Sequence, residues 1–542
     1  MKVLMIGIDG ATWNLIKPWA SQGHLPTFKK LLDEGVHGEL ESTIPPWTIP
    51  AWNAISTGKN PGKLGFALFA SRQKGSYKFK PEFLYTKETD VWHILSDAGK
   101  TVIVVNPPNV HEASRVNGCM VAGFLYLNKE VLTYPKTLKN ELDEAVGGYE
   151  VDVLDANIAA DVEKRFEFAR TIAKKEEDKK YIERVHRVLE KRFKASRHLL
   201  KEKWDFAFVV FVGTDRLQHR FWTDKSILLD LYKKIDNELQ TLLAMIDKDT
   251  IVIMVSDHGF GLMKRRFNIN EWALKEGYLE LKTENNSHWV KTANTLRGLK
   301  LLPLVKAAMK LVPSGISRSL NAKVNYIIVD DSNVNWEKTV LFTQPSEHVC
   351  GDLYLNVIGR EPNGAVDPND YEKIRTEIIQ KLKNLEDPTN GEKISAKVYR
   401  KEEIYEGEKL QGAPDLIIQI DDNIGGFSAR VGFNQIFMES KEGDHKQKGI
   451  FLAYGPQIRK GTKIEGARVY DITPTILHIF DLAVDKDMNG RVLKEIFAAE
   501  SELSKKEVRY QTYAAERREE EQTQSDETEE KIKDRLRKLG YI

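Results

Sequence analysis

The chain's 542 residues, 41% hydrophobic and 30% charged with ten tryptophans, describe a globular protein with ample core material rather than a disordered one. Its 81 basic and 80 acidic residues nearly cancel, so there is no global electrostatic footprint for DNA or RNA, and no nucleic-acid partner is expected. Cys119 and Cys350 stand alone, which excludes a disulfide framework and a thiolate metal motif; any metal must be held by oxygen and nitrogen ligands.

In chain order, MKVLMIGIDG is a short apolar run ending in Asp-Gly. It lacks the longer apolar region and small-residue cleavage site of a signal peptide, so it predicts a first core strand, Val3–Ile8, in a cytoplasmic protein. A helix follows at Pro26–Glu34, then strands at Thr101–Val105, Phe206–Val212 and Thr250–Val255, with helices at Ala159–Lys203 and Ser226–Ile246. Further on, the spacing predicts a helix over Asp370–Leu385, strands at Leu416–Ile420 and Ile450–Ala453, and a helix at Ile472–Phe480. Strand-sized β-branched runs alternating with helical periods predict a doubly wound, mostly parallel α/β sheet with helices on both faces. No run approaches the ~18 apolar residues that span a bilayer.

Between residues 281 and 339 the pattern loosens into a basic amphipathic stretch containing LRGLKLLPLVKAAMKLV. This predicts a cap or lid inserted between two parts of the catalytic core, residues 1–280 and 340–499. The stretch is compatible with an ordinary packing helix as well as with an element facing substrate or a membrane surface. Residues 500–542 are too polar to bury a face and read as a charged helix or tail.

The chemistry-bearing residues fall at strand ends. Asp9 closes the first strand at the carboxyl edge of the sheet, where open α/β folds build their sites, although Asp-Gly there also makes an ordinary turn. Asp215 and His219 follow the Phe206–Val212 strand with a spacing of four, so one helical turn points both to one side. Asp257 and His258 end the apolar run IVIMV, where burial gives two ionisable groups little reason to be present without a cation. His445 precedes the Ile450–Ala453 strand. Three aspartates and three histidines on one rim suit two divalent ions such as zinc, manganese or iron. A pair of ions can hold both the attacking and the leaving oxygens of an in-line displacement.

Thr48 lies in STIPPWTIPAWNAISTG, at the N-cap or first turn of a helix with Pro50 near its first position. Thr is an ordinary helix cap; the same place also presents backbone N–H groups to a phosphoryl oxygen. A threonine hydroxyl is a weak nucleophile unless its proton is removed, so Thr48 and the ligand set explain one another.

In this order and beside strands, Asp9, Thr48-Ile49-Pro50 with Thr57-Gly58 and Pro61…Gly65, Asp215…His219, Asp257-His258-Gly259, and His445 ahead of Gly455-Pro456 resemble the alkaline phosphatase superfamily. The branch they resemble is the type I phosphodiesterase/nucleotide pyrophosphatases, in particular a group of phosphohydrolases or phosphomutases that GREPNG, KVYRKEEIY and APDLII also fit. The resemblance implies that Asp9, Thr48, Asp257 and His258 bind one ion and Asp215, His219 and His445 the other. It implies zinc, or manganese as in phosphomutase relatives, with Thr48 attacking phosphorus and water releasing the phosphothreonine. The expected substrate is a small or lipid-linked phosphodiester or pyrophosphate. Phosphomutase or phosphomonoesterase chemistry is the alternative within the superfamily, and a non-catalytic metal-binding scaffold is the alternative from another class.

One stretch departs from that pattern. Nucleotide pyrophosphatases carry a phosphoryl-binding asparagine shortly after the Gly65 position, where this chain reads FALFAS. Asn53 is a substitute donor or a structural amide. Arg216, Arg220, Arg265, Lys446 and Lys448 lie near ligand motifs and either engage phosphate or are solvated.

Overall fold

The computed structural model describes residues 1–65, 70–81, 88–126, 131–153, 167–282, 327–328, 333–344, 349–407, 412–421, 424–431 and 435–513. Every residue of the apolar runs Val3–Ile8, Val102–Val105, Phe206–Phe211 and Ile251–Val255 is buried, as strands covered on both faces must be. Side chains alternate between the faces: Val3 and Met5 join one apolar cluster with Phe206, Phe208 and Val210, while Leu4, Ile6 and Ile8 join the other with Ala207, Val209 and Phe211.

Among the described residues these strands form the centre of a nine-stranded sheet. Its order is Thr462–Arg468, Val36–Glu41, Lys448–Tyr454, Ile251–Val255, Val3–Ile8, Phe206–Phe211, Val102–Val105, Gly118–Val121 and Thr133–Tyr134. Pairing is parallel from Ile251–Val255 through Gly118–Val121; Lys448–Tyr454 and Thr133–Tyr134 run antiparallel on either side. Helices Trp13–Ser21, Pro26–Glu34, Leu138–Val146 and Lys225–Met245 bury their apolar sides in one layer, and Thr48–Thr57, Val91–Asp97 and Ile472–Ile479 fill the other. The doubly wound, mostly parallel α/β fold read from the sequence is therefore the fold of the chain.

The strand Leu416–Ile420 belongs elsewhere. It pairs antiparallel with Gly351–Leu355 and Ala396–Arg400 in a four-stranded sheet that packs helix Tyr371–Lys383 over its own apolar cluster. A short apolar run signals a buried strand without naming its partners, which is why the sequence placed it in the main sheet. Most of residues 281–339, the start of the Ala159–Lys203 helix and everything after residue 513 lie outside the described residues. No helix among the described residues is long and apolar enough to cross a membrane.

Candidate active site

The parallel strands end level with one another. Ile8 is paired with Phe211 and Gly7 with Val255, so the residues that follow, Asp9, Val212 and Ser256, open onto one edge. Side-chain to main-chain bonds fix the turns there: Thr214 Oγ1 donates to the Asp9 carbonyl, Gln218 Nε2 to Gly10 (2.8 Å), Ser256 Oγ to Ala11 (3.0 Å) and Ser42 Oγ to Asp257 (2.6 Å). Each loop that carries a ligand is thus tied to its neighbour.

Asp215 and His219 sit in helix Gly213–Phe221, one turn apart, with His219 Nε2 3.2 Å from Asp215 Oδ1. His445 arrives by a route the sequence did not reveal. It precedes strand Lys448–Tyr454 as expected, but itself lies inside strand Phe437–Lys446, which forms an antiparallel pair with Gly259–Asn268 in which His445 faces Phe260. That register sets its ring 3.5 Å, centroid to centroid, from the His258 ring and its Nε2 2.9 Å from His219 Nε2. His445 Nε2 is also 3.2 Å from Asp215 Oδ1.

Two groups result, Asp9–Asp257–His258 and Asp215–His219–His445, each with its ligand atoms within 4.8 Å of one another. All but His219 are buried. Thr48 belongs to the first group: it is the first residue of helix Thr48–Thr57, fully buried, with Oγ1 3.4 Å from His258 Nε2. Trp47 is the cap, and Pro50 falls at the third helical position rather than the first, still within the turn whose N–H groups have no helical partner.

Imidazole tautomers follow from the main chain. His258 Nδ1 is 2.9 Å from the Gly259 carbonyl and His445 Nδ1 is 2.9 Å from that of Pro46. A carbonyl accepts only, so each Nδ1 carries a proton, which leaves Nε2 as the nitrogen through which the neutral ring can bind a metal. Trp52 Nε1 donates to Asp9 Oδ2 (3.3 Å) and the Gly10 N–H to Asp257 Oδ1 (3.2 Å). The other oxygens, Asp9 Oδ1 and Asp257 Oδ2, have no hydrogen-bond partner among the described residues and lie 3.5 and 3.2 Å from His258 Nε2. Buried acceptors converging without a donor are costly unless a cation lies between them. Oxygen and imidazole donors in this arrangement fit a divalent metal of the zinc or manganese type.

The electrostatics agree. Burial first, then the Asp215 charge, pushes the Asp9 carboxyl well above the usual carboxylate range; burial, Asp9 and Asp215 do the same to Asp257. Burial and the neighbouring His445 hold His258 well below an ordinary imidazole, in its neutral ligand form. For Asp215 burial is outweighed by His219 and His445, which hold its carboxyl well below the usual range, and Asp215 in turn raises His219 against the pull of burial. Three carboxylates this close make a field that calls for positive charge.

Among the remaining sequence candidates, Asn53, Arg220, Arg265 and Lys448 have partners elsewhere. Asn53 Nδ2 bonds the Ile49 carbonyl (3.0 Å) and its Oδ1 accepts from Asn109 (3.3 Å), a structural use. Arg220 pairs with Glu177 and Asp178, Arg265 with Asp387, and Lys448 with Glu39. Phe66–Phe69 lie outside the described residues. Sequence reasoning missed Trp52, which reaches Asp9 because Gly7 has no Cβ; one built there would sit 2.5 Å from the Trp52 ring. It also missed Asp152, which is paired with Arg216.

Solved structures similar to the chain include human ectonucleotide pyrophosphatase/phosphodiesterase 5, with 15% identity and a TM-score of 0.48 over 92% of this chain and 100% of that one. The murine counterpart, an inactive variant in complex with AMP, is similar at 14% identity and a TM-score of 0.49 over 92% and 100%. Phosphonoacetate hydrolase from Sinorhizobium meliloti 1021, in complex with phosphonoacetate, is similar at 14% and 0.48 over 87% and 94%. Among curated protein sequences none matches. The family type I phosphodiesterase / nucleotide pyrophosphatase matches residues 3–425, most of the chain and the stretch that holds every candidate ligand except His445. The chain belongs to the type I phosphodiesterase/nucleotide pyrophosphatase family and is a phosphohydrolase.

Proposed function

We propose that the chain cleaves phosphodiester or pyrophosphate bonds in a small phosphate substrate by covalent catalysis at Thr48, with one divalent cation in each of the two ligand groups. The observation that carries this reading is the position of Thr48 Oγ1, 3.4 Å from His258 Nε2, the atom that Asp9 Oδ1 and Asp257 Oδ2 also approach, at 3.5 and 3.2 Å. Asp9, Thr48, Asp257 and His258 would hold one ion, and Asp215, His219 and His445 the other. When bound, such ions supply Lewis acidity that eases loss of the Thr48 proton and offset the charge gathering on the phosphoryl oxygens.

The chain's own residues do the rest. Helix Thr48–Thr57 starts at the nucleophile, so its free N–H groups face the phosphoryl group while Thr48 Oγ1 attacks phosphorus and the leaving alcohol or phosphate departs opposite. Water then cleaves the phosphothreonine and restores Thr48. The segment before Thr48 is held carbonyl by carbonyl: Gln447 Nε2 donates to Ser42 (2.6 Å) and Thr43 (3.1 Å), Tyr405 Oη to Ile44 (2.7 Å) and His445 Nδ1 to Pro46 (2.9 Å). Such fixing keeps the nucleophile in place without further ordering at the moment of reaction.

The test is hydrolysis of bis-p-nitrophenyl phosphate, p-nitrophenyl phosphate and thymidine p-nitrophenyl phosphate by protein loaded with Zn²⁺ or Mn²⁺. Diester turnover that falls by at least about 10³-fold in Thr48→Ala is the expected result. A preference for the monoester would favour a phosphatase or mutase, and equal rates in the variant would remove Thr48 from the chemistry.

A further inference from the structure

Each of the three carboxylate ligands has one oxygen occupied by a donor, but the donors differ. Asp9 and Asp257 are held by neutral groups, the Trp52 indole and the Gly10 amide, whereas Asp215 Oδ2 is held by a guanidinium, Arg216 Nη1, at 3.1 Å. Arg216 is buried, its other arm Nη2 lies 3.1 Å from Asp152 Oδ2, and its Cζ sits 4.7 Å from the centroid of the Phe124 ring. Asp152 is itself buried and is fixed from behind, because Arg192 reaches the carbonyl of the preceding Val151 while bonding that of Val210 (2.9 Å).

Charge explains why the pair is needed. The group Asp215–His219–His445 carries one negative charge when its imidazoles are neutral, against two in Asp9–Asp257–His258. A bare guanidinium on Asp215 would cancel that single charge and repel a cation; Asp152 restores it. A bidentate fork held at both ends also has one orientation, which a lysine ammonium would not.

Resting on the two-metal reading above, we propose that Arg216, braced by Asp152 and Phe124, is a positioning residue: it occupies Asp215 Oδ2, aims Oδ1 at the place shared with the His219 and His445 Nε2 atoms, and so sets the affinity of that cation site. It is not a phosphate-binding residue, although it adjoins a ligand motif. Outer partners of metal ligands characteristically act in this way, through orientation and charge.

The experiment is metal content and Mn²⁺ or Zn²⁺ titration of the full-length protein, wild type against Arg216→Met and Asp152→Asn, beside inhibition by inorganic phosphate. The expected result is two ions per wild-type chain and, in both variants, one ion kept at wild-type affinity while the other binds about tenfold or more weakly. Excess metal should then restore much of the turnover, with phosphate inhibition little changed. Two ions at unchanged affinity in the variants, with weaker phosphate inhibition in Arg216→Met, would overturn the proposal and make Arg216 a substrate contact. If Arg216→Met does not fold, Asp152→Asn decides the matter alone, since it keeps the shape and removes only the charge. One ion or none in the wild type would remove the two-metal reading, and the clamp with it.

Discussion

Asp257 illustrates what a single buried atom demands. Its Oδ1 is satisfied by the Gly10 amide, while its Oδ2 faces His258 Nε2 and has no hydrogen-bond partner among the described residues. Asn in its place keeps the size and the bond to Gly10 but replaces an anionic ligand with a neutral one. Asp257→Asn should therefore fold, lose affinity for the first ion by more than about tenfold, the scale on which even outer partners act, and lose turnover with it. Because an ion that binds only the native state stabilises it by mass action, the variant should also lose most of the rise in Tm that Zn²⁺ or Mn²⁺ gives the wild type. Differential scanning fluorimetry with and without metal measures this; an equal rise in both proteins would take Asp257 out of the ligand set. Asp9, Asp215, His219, Asp257, His258 and His445 were legible because ionisable residues at the ends of apolar runs are conspicuous. Trp52 and Asp152 were not, since an indole inside a helix and an isolated aspartate have ordinary explanations and only tertiary contact reveals their partners.

Among the elements, the antiparallel pair Gly259–Asn268 and Phe437–Lys446 delivers His445 to His258. Neither strand was read from the sequence, because the first follows a ligand motif directly and the second, FMESKEGDHK, is too polar to stand out as an apolar run. Gly443 sits where this pair crosses helix Gly213–Phe221: a Cβ there would lie 2.6 Å from both the Gln218 carbonyl and the Trp222 Cβ. The neighbours are backbone and a ring stem, so the strand must move instead. Gly443→Val should separate His445 from His219 and cut occupancy of the second ion site more than that of the first. Metal content decides it, and a variant that holds both ions as the wild type does would show that the strand's approach is not what sets the site.

At the scale of the molecule, the fold gathers residues spread from Asp9 to His445 onto one edge, and it does so mainly by parallel strands that end in register. That much follows from apolar runs and helical periods, which is why the α/β class could be read in advance. The small antiparallel sheet could not, since Leu416–Ile420 looks like any other buried strand until its neighbours are known. Through Tyr405 and Gln447 the two sheets jointly hold the segment that leads into Thr48, so the whole architecture converges on one hydroxyl. The direct test is to quench the metal-loaded protein during turnover of bis-p-nitrophenyl phosphate and to locate any phosphoryl adduct by peptide mass spectrometry. An adduct on Thr48, absent from Thr48→Ala and reduced in Asp257→Asn, is the predicted result. Turnover with no adduct at Thr48, and an undiminished rate in Thr48→Ala, would contradict the account, because it would mean that water attacks the substrate directly.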